Sequence, residues 1–370
     1  MTPLWTIGNL QVTPYSLMIL LGALAGTALP LRNKQVRPLL PAVVLGALLL
    51  GHAVWVLFCP YDLEAYEGKG YMLLHIWEGG YTLYGALLGG ALGALVAGKL
   101  SGVRWTDALD ALAPGACAAL FFARVGEFFS GEGVGRQVDV EALQFFPVSL
   151  WNDYFEEWRY NVWFWEALVA LVLLLLLLKR EKRALPGHQT FLFLTVLGTT
   201  QILLEQMRRD HYLRLIVFVR LNQLVALATL IAVLVLLLVR TKPGKARLLW
   251  CLAALLFASL ADMASEFVFD KYEYAPWLYA SMPLAVLACG GMLYAWKGKK
   301  GILPAAVICV AAAGLLLAYA SRAWDEVELS PVEDMLRFLI LYGTMAVDMV
   351  IIALAIHLNV QRDREIRRIS

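Results

Sequence analysis

The chain has 370 residues, of which 61% are hydrophobic and 16% charged, and its mean hydropathy is +0.68. Soluble globular domains are about 45–50% apolar, so this composition excludes an ordinary soluble enzyme. The formal net charge of +2 is too small to indicate a nucleic-acid partner. The composition therefore predicts an all-α, polytopic integral membrane protein.

Apolar runs recur along the whole chain, each near the roughly 20 residues that cross a hydrocarbon core of about 30 Å. Seven transmembrane helices are predicted in the N-terminal part, at residues 14–31, 40–59, 81–99, 109–123, 163–179, 188–205 and 219–239. Four more are predicted at 249–267, 276–296, 302–320 and 335–358, which gives about 11 spans. The fourth run is short and contains glycine and proline, which favours a broken helix over a plain one.

Lys and Arg residues are concentrated in every second connection between the predicted spans. If the N-terminus lies outside, 20 of the 31 Lys and Arg residues fall on the cytoplasmic side. The positive-inside rule then predicts an external N-terminus and a cytoplasmic C-terminus. The outer connection 206–218 departs from this distribution with Arg208, Arg209 and Arg214, and positive charges there need a functional reason.

The basic segment RTKPGKARL at 240–248 is the predicted boundary between two parts. Residues 1–240 hold seven predicted spans and residues 248–370 hold four. A transporter built from related halves should show an internal repeat, and the sequence shows none across this boundary. The C-terminal polar residues are compatible with a transport path or with contacts that join the two parts; they are Asp262, Glu266, Arg337 and Asp348.

Cysteine and histidine are too scattered to form a metal site. The five cysteines and five histidines show neither metal-ligand spacing nor a framework for disulfides. We therefore predict no metal and no cofactor, and we expect the cysteines to be small buried side chains.

Three polar stretches lie at the predicted outer ends of separate spans. The first, WEGGYTLYG at 77–85, combines glycines that allow a tight turn with aromatic residues suited to the membrane interface. The second, ARVGEFFSGEGVGR at 123–136, contains two arginines, two glutamates and four glycines. In the third, QILLEQMRRD at 201–210, the helical spacing places Gln201, Glu205 and Arg208 on one face.

These stretches leave two interpretations open. Ionisable residues at membrane depth are costly and are usually paired or functional. In the first interpretation, the glycines form turns and the charged residues form local ion pairs, such as Glu205 with Arg208. These turns and pairs would only close a helix bundle. Alternatively, Arg124, Glu132, Glu205 and Arg208 could line one cavity for a phospholipid headgroup, because the planar guanidinium binds two phosphate oxygens at once and apolar walls suit acyl chains.

In order and spacing, these motifs resemble those of the prolipoprotein diacylglyceryl transferases, a bacterial inner-membrane family with seven spans. The segment 77–85 resembles the family's W-[DE]-G-G-x-x-x-H-G motif, and 124–136 is similar to its signature R-x-G-N-F-x-N-G-E-x-x-G-R. Tyr15 falls on a tyrosine of the first span, Glu166 on a later glutamate, and 205–208 on an E-x-x-R motif. The resemblance covers about residues 4–240.

The resemblance implies transfer of a diacylglyceryl group from phosphatidylglycerol to the lipobox cysteine of a prolipoprotein. It implies a multi-pass protein of the bacterial inner membrane with these two substrates as partners. The catalytic residues would be Arg124, Tyr84, Glu132 and Glu205. The substrate-binding residues would be Tyr15, Glu127, Gly135, Arg136, Gln201 and Arg208.

Three positions depart from the family's motifs: Tyr84 replaces a histidine, Glu127 an asparagine and Gln201 an arginine. A phenol with an ordinary pKa near 10 is a poor base at neutral pH. Glu127 adds a negative charge and Gln201 removes a positive one, so a phosphate site is weakened unless other arginines compensate. The alternative function is therefore a non-catalytic phospholipid- or lipoprotein-binding membrane protein, and a transporter is the third.

Overall fold

The computed structural model describes residues 4–7, 10–58, 80–138, 141–180 and 186–208, and then 214–216, 219–220, 222, 225–226, 228–229 and 232. The described residues belong to two compact units. The first comprises those within 1–137, 145–197 and 204–225, and the second those within 138–144, 198–203 and 226–232. The predicted boundary at 240–248, the last four predicted spans and their polar residues lie outside the described part.

Six helices occupy the positions of the first six predicted spans. They are α1 (Pro14–Ala28), α2 (Leu40–Phe58), α3 (Leu83–Ser101), α4 (Trp105–Ser130), α5 (Val162–Arg180) and α6 (His188–Met207). Within the described residues, five helical stretches, ending at α5, are long and apolar enough to cross a membrane. The prediction of a helical, polytopic membrane protein is thus confirmed, and the count of eleven spans stays a prediction.

Local signals fix where the helices begin. At α1, Thr13 and Ser16 form a reciprocal capping box, in which each side-chain oxygen accepts a hydrogen bond from the other residue's backbone N–H. At α3, the Thr82 hydroxyl accepts from the Gly85 N–H at 3.3 Å. Thr82 also donates through its backbone N–H to the carbonyl of Gly51, within α2, at 3.1 Å, which joins α2 to the start of α3.

The prediction of a short or broken helix at 109–123 is wrong. Helix α4 is continuous over 26 residues and contains Pro114 without a break. Its flanking charges made the apolar run look short, but they have partners: Asp107 pairs with Arg104 at 2.8 Å, and Arg124 pairs with Glu127. Pro114 removes one backbone hydrogen bond, yet the helix continues through it and packs against α1 and α5.

Glycines let two helix pairs approach until their backbones touch. A Cβ atom at Gly89 of α3 would lie 2.0 Å from the carbonyl oxygen of Gly46 in α2. A Cβ atom at Gly115 of α4 would lie 2.2 Å from the carbonyl oxygen of Gly26 in α1. Lipid supplies no hydrophobic driving force between helices, so these seams are stabilised by the close van der Waals packing that small residues allow.

The apolar core of the first unit lies between α4, α5 and α6. It contains Ala113, Cys117, Leu120, Ala170, Leu173, Leu177, Phe193 and Leu197. Cys117 is a buried free thiol, as expected. This packing fixes the three helices that carry most of the charged residues described below.

The long predicted outer segment 123–162 contains the end of α4 and a small antiparallel sheet. Its strands are β3 (Val134–Gln137), β4 (Ser149–Asn152) and β5 (Glu157–Asn161), in the order β3–β5–β4. Two further hairpins pair β1 (Trp5–Ile7) with β2 (Leu10–Val12) and β6 (Arg214–Ile216) with β7 (Val219–Arg220). The sheet covers the helix ends at which the charged residues gather.

Candidate functional site

Two arginines and two glutamates form a buried cluster in the first unit, which we call the ion-pair cluster: Arg124, Glu127, Glu166 and Arg208. Arg124 bonds Glu127 through Nη1, and its Nε lies 3.2 Å from Glu166 Oε2. Arg208 Nη2 lies 2.6 Å from Glu127 Oε2 and also contacts Glu166 Oε2. Each guanidinium thus contacts both carboxylates, and the formal charges cancel.

The elements that hold the ion-pair cluster meet at one end of the helices. Arg124 and Glu127 stand one turn apart near the end of α4, which makes them neighbours on its surface. Glu166 lies near the start of α5, and Arg208 directly follows α6. Residues distant in sequence therefore meet because three helix ends meet.

Two glycines shape the wall beside the ion-pair cluster. Gly133 has φ +71°, and a Cβ atom there would lie 2.7 Å from Glu127 Oε2 and 2.9 Å from Trp163 Cβ. A Cβ atom at Gly135 would lie 2.8 Å from the carbonyl oxygen of Tyr160. The backbone of Gly135 also forms an antiparallel bridge with Arg208, which ties α6 to the sheet.

The prediction that Gln201, Glu205 and Arg208 lie on one face of a helix is only partly correct. All three side chains are buried, but α6 ends at Met207 and Arg208 has an extended backbone, with ψ 141°. Arg208 turns away from the helix because its backbone pairs with Gly135. Gln201 lies one turn before Glu205 in α6 and belongs to the second unit.

Tyrosines at the starts of α1 and α3 surround the ion-pair cluster. Tyr84 interacts electrostatically with Glu205, Arg124 and Glu166, and its buried hydroxyl has no hydrogen-bond partner among the described residues. Tyr15 interacts electrostatically with Arg124 and with two glutamates, 127 and 132. Both predicted tyrosines thus lie beside Arg124.

Tyr81 lies just before α3, outside the helical spans. Burial raises the pKa of its phenol above the ordinary value of 10.0. Its ring centroid is 5.6 Å from that of His52, and His52 Nδ1 lies 3.0 Å from the Gly80 carbonyl oxygen. These contacts fix the start of α3 and hence the place of Tyr84.

The remaining predicted site residues differ in their surroundings. Glu205 is 1% exposed, and Asn222 Nδ2 donates to its Oε1 at 3.3 Å. Glu132 is exposed, unlike the ion-pair cluster, and its backbone N–H donates to the Glu127 carbonyl at 3.1 Å. Arg136 lies in β3, and its side chain is outside the described part.

Sequence reasoning did not place Glu166 or Asn222 among the candidate site residues. Glu166 carried a usable signal, because it is the only carboxylate in α5 and lies inside its apolar run, far from the terminal Lys179 and Arg180. Asn222 lies in the seventh predicted span and carried no comparable signal. Among the described residues, no group of three His, Cys, Asp or Glu side chains is placed to hold a metal ion.

Together, the helices and the ion-pair cluster define a polytopic membrane protein with a buried charged site at one end of its helices. A family model described as prolipoprotein diacylglyceryl transferase matches residues 3–239. The chain therefore belongs to the prolipoprotein diacylglyceryl transferase family, whose members are transferases of lipoprotein biosynthesis.

Individual relatives agree with the family match, and each is named phosphatidylglycerol–prolipoprotein diacylglyceryl transferase. The protein of Nitratidesulfovibrio vulgaris is 31% identical over 214 residues, which cover 55% of this chain and 79% of the relative. That of Gloeobacter violaceus is 29% identical over 242 residues, covering 61% and 87%. That of Tropheryma whipplei is 30% identical over 217 residues, covering 55% and 79%.

Proposed function

We propose that this chain transfers a diacylglyceryl group from phosphatidylglycerol, or a closely related phospholipid, to the lipobox cysteine of a prolipoprotein in the bacterial inner membrane. The observation that carries the proposal is the buried ion-pair cluster beside the Tyr84 hydroxyl. It supplies cations for a phosphate at the end of apolar helices, where a lipid's acyl chains have apolar surface beside them. Membership of the family supports the same reaction.

In this reaction the cysteine thiol first loses its proton to water, and the resulting thiolate attacks the glyceryl carbon that bears the phosphate ester. A C–S bond forms, the C–O bond to the phosphate breaks, and glycerol phosphate leaves with the electron pair. Because negative charge develops on the leaving phosphate, fixed cations accelerate the step. Arg124 is the proposed phosphate ligand, since 11% of its side chain is exposed against 3% for Arg208. Arg208 would supply the second positive charge, which Gln201 cannot.

The other site residues receive supporting roles in the proposal. The Tyr84 hydroxyl, which has no hydrogen-bond partner in the described part of the chain, would donate to a substrate oxygen. Glu166 would orient the two arginines, and Glu127 would contact the substrate headgroup beside Arg124. Glu205, which interacts electrostatically with Tyr84, would help to position its hydroxyl. The remaining predicted residues would contact substrate near the sheet and the start of α1; these are Tyr15, Glu132, Gly135 and Arg136.

The proposed orientation is an external N-terminus, which places the ion-pair cluster at the outer leaflet. Lys and Arg counts support it: 20 of 31 then lie on the cytoplasmic side. An external site would suit a transferase whose acceptor cysteine is presented outside the cytoplasm.

A non-catalytic phospholipid- or lipoprotein-binding role is the second candidate. The observation that favours it is the balance of the ion-pair cluster, in which two carboxylates contact the two arginines. Such a cluster has no net positive charge to offer a leaving phosphate. Binding of phospholipid without product formation is the result that distinguishes this role.

The test is a transfer assay with the purified full chain, phosphatidylglycerol and a synthetic lipobox peptide. Mass spectrometry should detect the peptide with one added diacylglyceryl group, and glycerol phosphate should appear in equal amount. A peptide with serine in place of the cysteine is the control and should stay unmodified. Phospholipid binding without any modified peptide would reject the transferase in favour of the binding protein.

A further inference from the structure

All four residues of the ion-pair cluster are buried, but Arg124 and Glu127 form its more exposed side, and Glu166 and Arg208 form its closed side. Arg124 and Glu127 each expose 11% of their side chains, whereas Glu166 exposes 1% and Arg208 3%. A ligand that approaches the cluster therefore meets Arg124 and Glu127 first. Glu166 lies behind them, at the closed side.

Glu127 holds the positions on the arginines that a phosphate would use. Its Oε1 bonds Arg124 Nη1, and its Oε2 lies 2.6 Å from Arg208 Nη2. Two oxygens of one anion thus bridge two guanidinium groups. A phosphate can bridge the same two N–H groups, because guanidinium N–H donors form charge-assisted hydrogen bonds with phosphate as they do with carboxylate.

The surrounding backbone fixes the Glu127 carboxylate in this place. Gly133, at φ +71°, approaches so closely that a Cβ atom would lie 2.7 Å from Glu127 Oε2. Glu127 also stands one turn after Arg124 in the same helix, so the pair is favoured by the helix itself. The Glu127 carboxylate therefore lies between the arginines and the closely approaching backbone of Gly133.

We propose that Glu127 is a specificity-determining residue, a built-in anion that occupies the phosphate position of Arg124 and Arg208. A phospholipid phosphate binds Arg124 only by displacing Glu127, while Glu166 stays behind and keeps both arginines in place. The cluster then offers no net positive charge to the headgroup, so it distinguishes anionic from zwitterionic phospholipids only weakly. The inference rests on the proposed function for the choice of phospholipid as ligand.

The experiment compares the binding of two lipids with identical acyl chains to the full chain in detergent micelles. Phosphatidylglycerol is the anionic probe and phosphatidylethanolamine the zwitterionic one, and native mass spectrometry counts each bound lipid. We expect the wild-type affinity ratio to stay within about threefold of one. Glu127→Gln leaves a net positive charge at the side where the headgroup binds. This charge attracts the anionic headgroup of phosphatidylglycerol and repels the ammonium of phosphatidylethanolamine, so the ratio should rise at least about tenfold.

Glu166→Gln is the matched control, because it removes the same charge from the same two arginines at the closed side. It should raise the ratio less than Glu127→Gln does. Glu127→Asn provides a second neutral variant should Glu127→Gln unfold. The affinity ratio of the wild type tests the proposal without any substitution. A wild-type preference for phosphatidylglycerol above about tenfold would overturn the proposal.

An unchanged ratio in both folded Glu127 variants would also overturn it. Absence of phospholipid binding by every form would overturn this inference together with the proposed function. Transfer activity is measured separately, so its failure is distinguishable. A wild-type chain that forms no thioether, while Glu127→Gln gains selectivity for phosphatidylglycerol, would reject the transferase and support the role of Glu127.

Discussion

The positive and negative charges of the ion-pair cluster make each other's burial possible. A buried guanidinium without a partner is strongly destabilising, and so is a buried carboxylate. Arg124 and Arg208 each contact Glu127 and Glu166, so neither charge type is buried alone. The same contacts that make burial possible also compete with a substrate phosphate. Chemistry at this site therefore depends on which contacts a substrate replaces.

Substitutions of Tyr84 test whether a substrate oxygen binds beside the ion-pair cluster. Tyr84→Phe removes a buried hydroxyl that has no hydrogen-bond partner within the described residues. We expect unchanged thermal stability and roughly tenfold slower transfer, the effect of losing one hydrogen bond to a charged group. Tyr84→His should hold or raise the rate, because an imidazole can donate to the same substrate oxygen and, with an ordinary pKa near 6.5, can also accept the thiol proton.

The matched control is Tyr154→Phe, since Tyr154 is 86% exposed. It should change neither the transfer rate nor the thermal stability. A Tyr84→Phe variant that loses stability but transfers at the wild-type rate would show that the hydroxyl serves the fold and not the substrate.

Sequence reasoning found Arg124 and Arg208 because charged residues are conspicuous at the ends of apolar runs. It could not assign their partners, since the contacts of Arg208 with Glu127 and Glu166 depend on how α4, α5 and α6 pack. It placed Arg208 on the face of α6 because the spacing fits a helix, whereas the backbone bridge to Gly135 ends that helix first. Local pattern predicted the residues, and only tertiary structure revealed the pairing.

At the level of elements, helix pairs are held by close backbone approach and by polar contacts at helix ends. The seam between α2 and α3 depends on glycine, and so does the seam between α1 and α4. The lengths of the apolar runs predicted the six helices well, because a helix that crosses a bilayer is apolar over nearly its whole length. It missed the length of α4 because paired charges such as Arg124 are not apolar.

The seam between α2 and α3 is tested by two neighbouring glycines. A Cβ atom at Gly89 would lie 2.0 Å from the Gly46 carbonyl oxygen, and at Gly90 the nearest atom, Val43 Cγ1, is 3.6 Å away. Gly89→Ala should therefore lower the free energy of unfolding by about 1–3 kcal/mol. Gly90→Ala should be neutral or stabilising, because alanine favours helix over glycine. Equal thermal unfolding temperatures for the two variants would contradict this account of the seam.

Asp110 joins α4 to the start of α6. Its carboxylate accepts from the Gly187 N–H, from the Thr190 N–H at 2.9 Å and from the Thr190 hydroxyl at 2.7 Å. Asp110→Ala leaves these donors without that acceptor and should cost about 1–2 kcal/mol, as loss of a helix cap does. Thermal unfolding in detergent measures the change.

Asp107→Ala is the control for Asp110, one turn earlier in the same helix. Asp107 pairs with Arg104, whose side chain is 73% exposed, so its loss should cost less than about 1 kcal/mol. A larger loss of stability from Asp107→Ala than from Asp110→Ala would refute the capping role.

At the level of the whole molecule, the first unit places five predicted site residues at one end of its helices. Arg124, Glu127, Arg208, Tyr15 and Tyr84 come from α1, α3, α4 and the residue after α6, and they interact there. The family match ends at residue 239, close to the predicted boundary at 240–248. The division into parts at 1–240 and 248–370, and the role of the second part, stay predictions.

The orientation in the membrane is tested by reporter fusions at three positions. Fusions after Arg183 and Arg247 should report a cytoplasmic location, and a fusion after Tyr160 an external one. The reason is the excess of Lys and Arg on connections that this orientation makes cytoplasmic. A cytoplasmic signal at Tyr160 would contradict both the orientation and an outer-leaflet site.

The central claim is that the ion-pair cluster is the active site of a diacylglyceryl transferase, and the rate of thioether formation in Arg124 variants tests it most directly. Wild type should form product, and Arg124→Ala should slow it roughly 30- to 1,000-fold, because a charge-assisted contact to the leaving phosphate is lost. Arg124→Lys keeps the charge without the bidentate geometry and should also fall well below wild type. Arg104→Ala, at the exposed start of α4, should match wild type. A folded Arg124→Ala variant with the wild-type rate, or a wild type that forms no product from any anionic phospholipid, would contradict the claim.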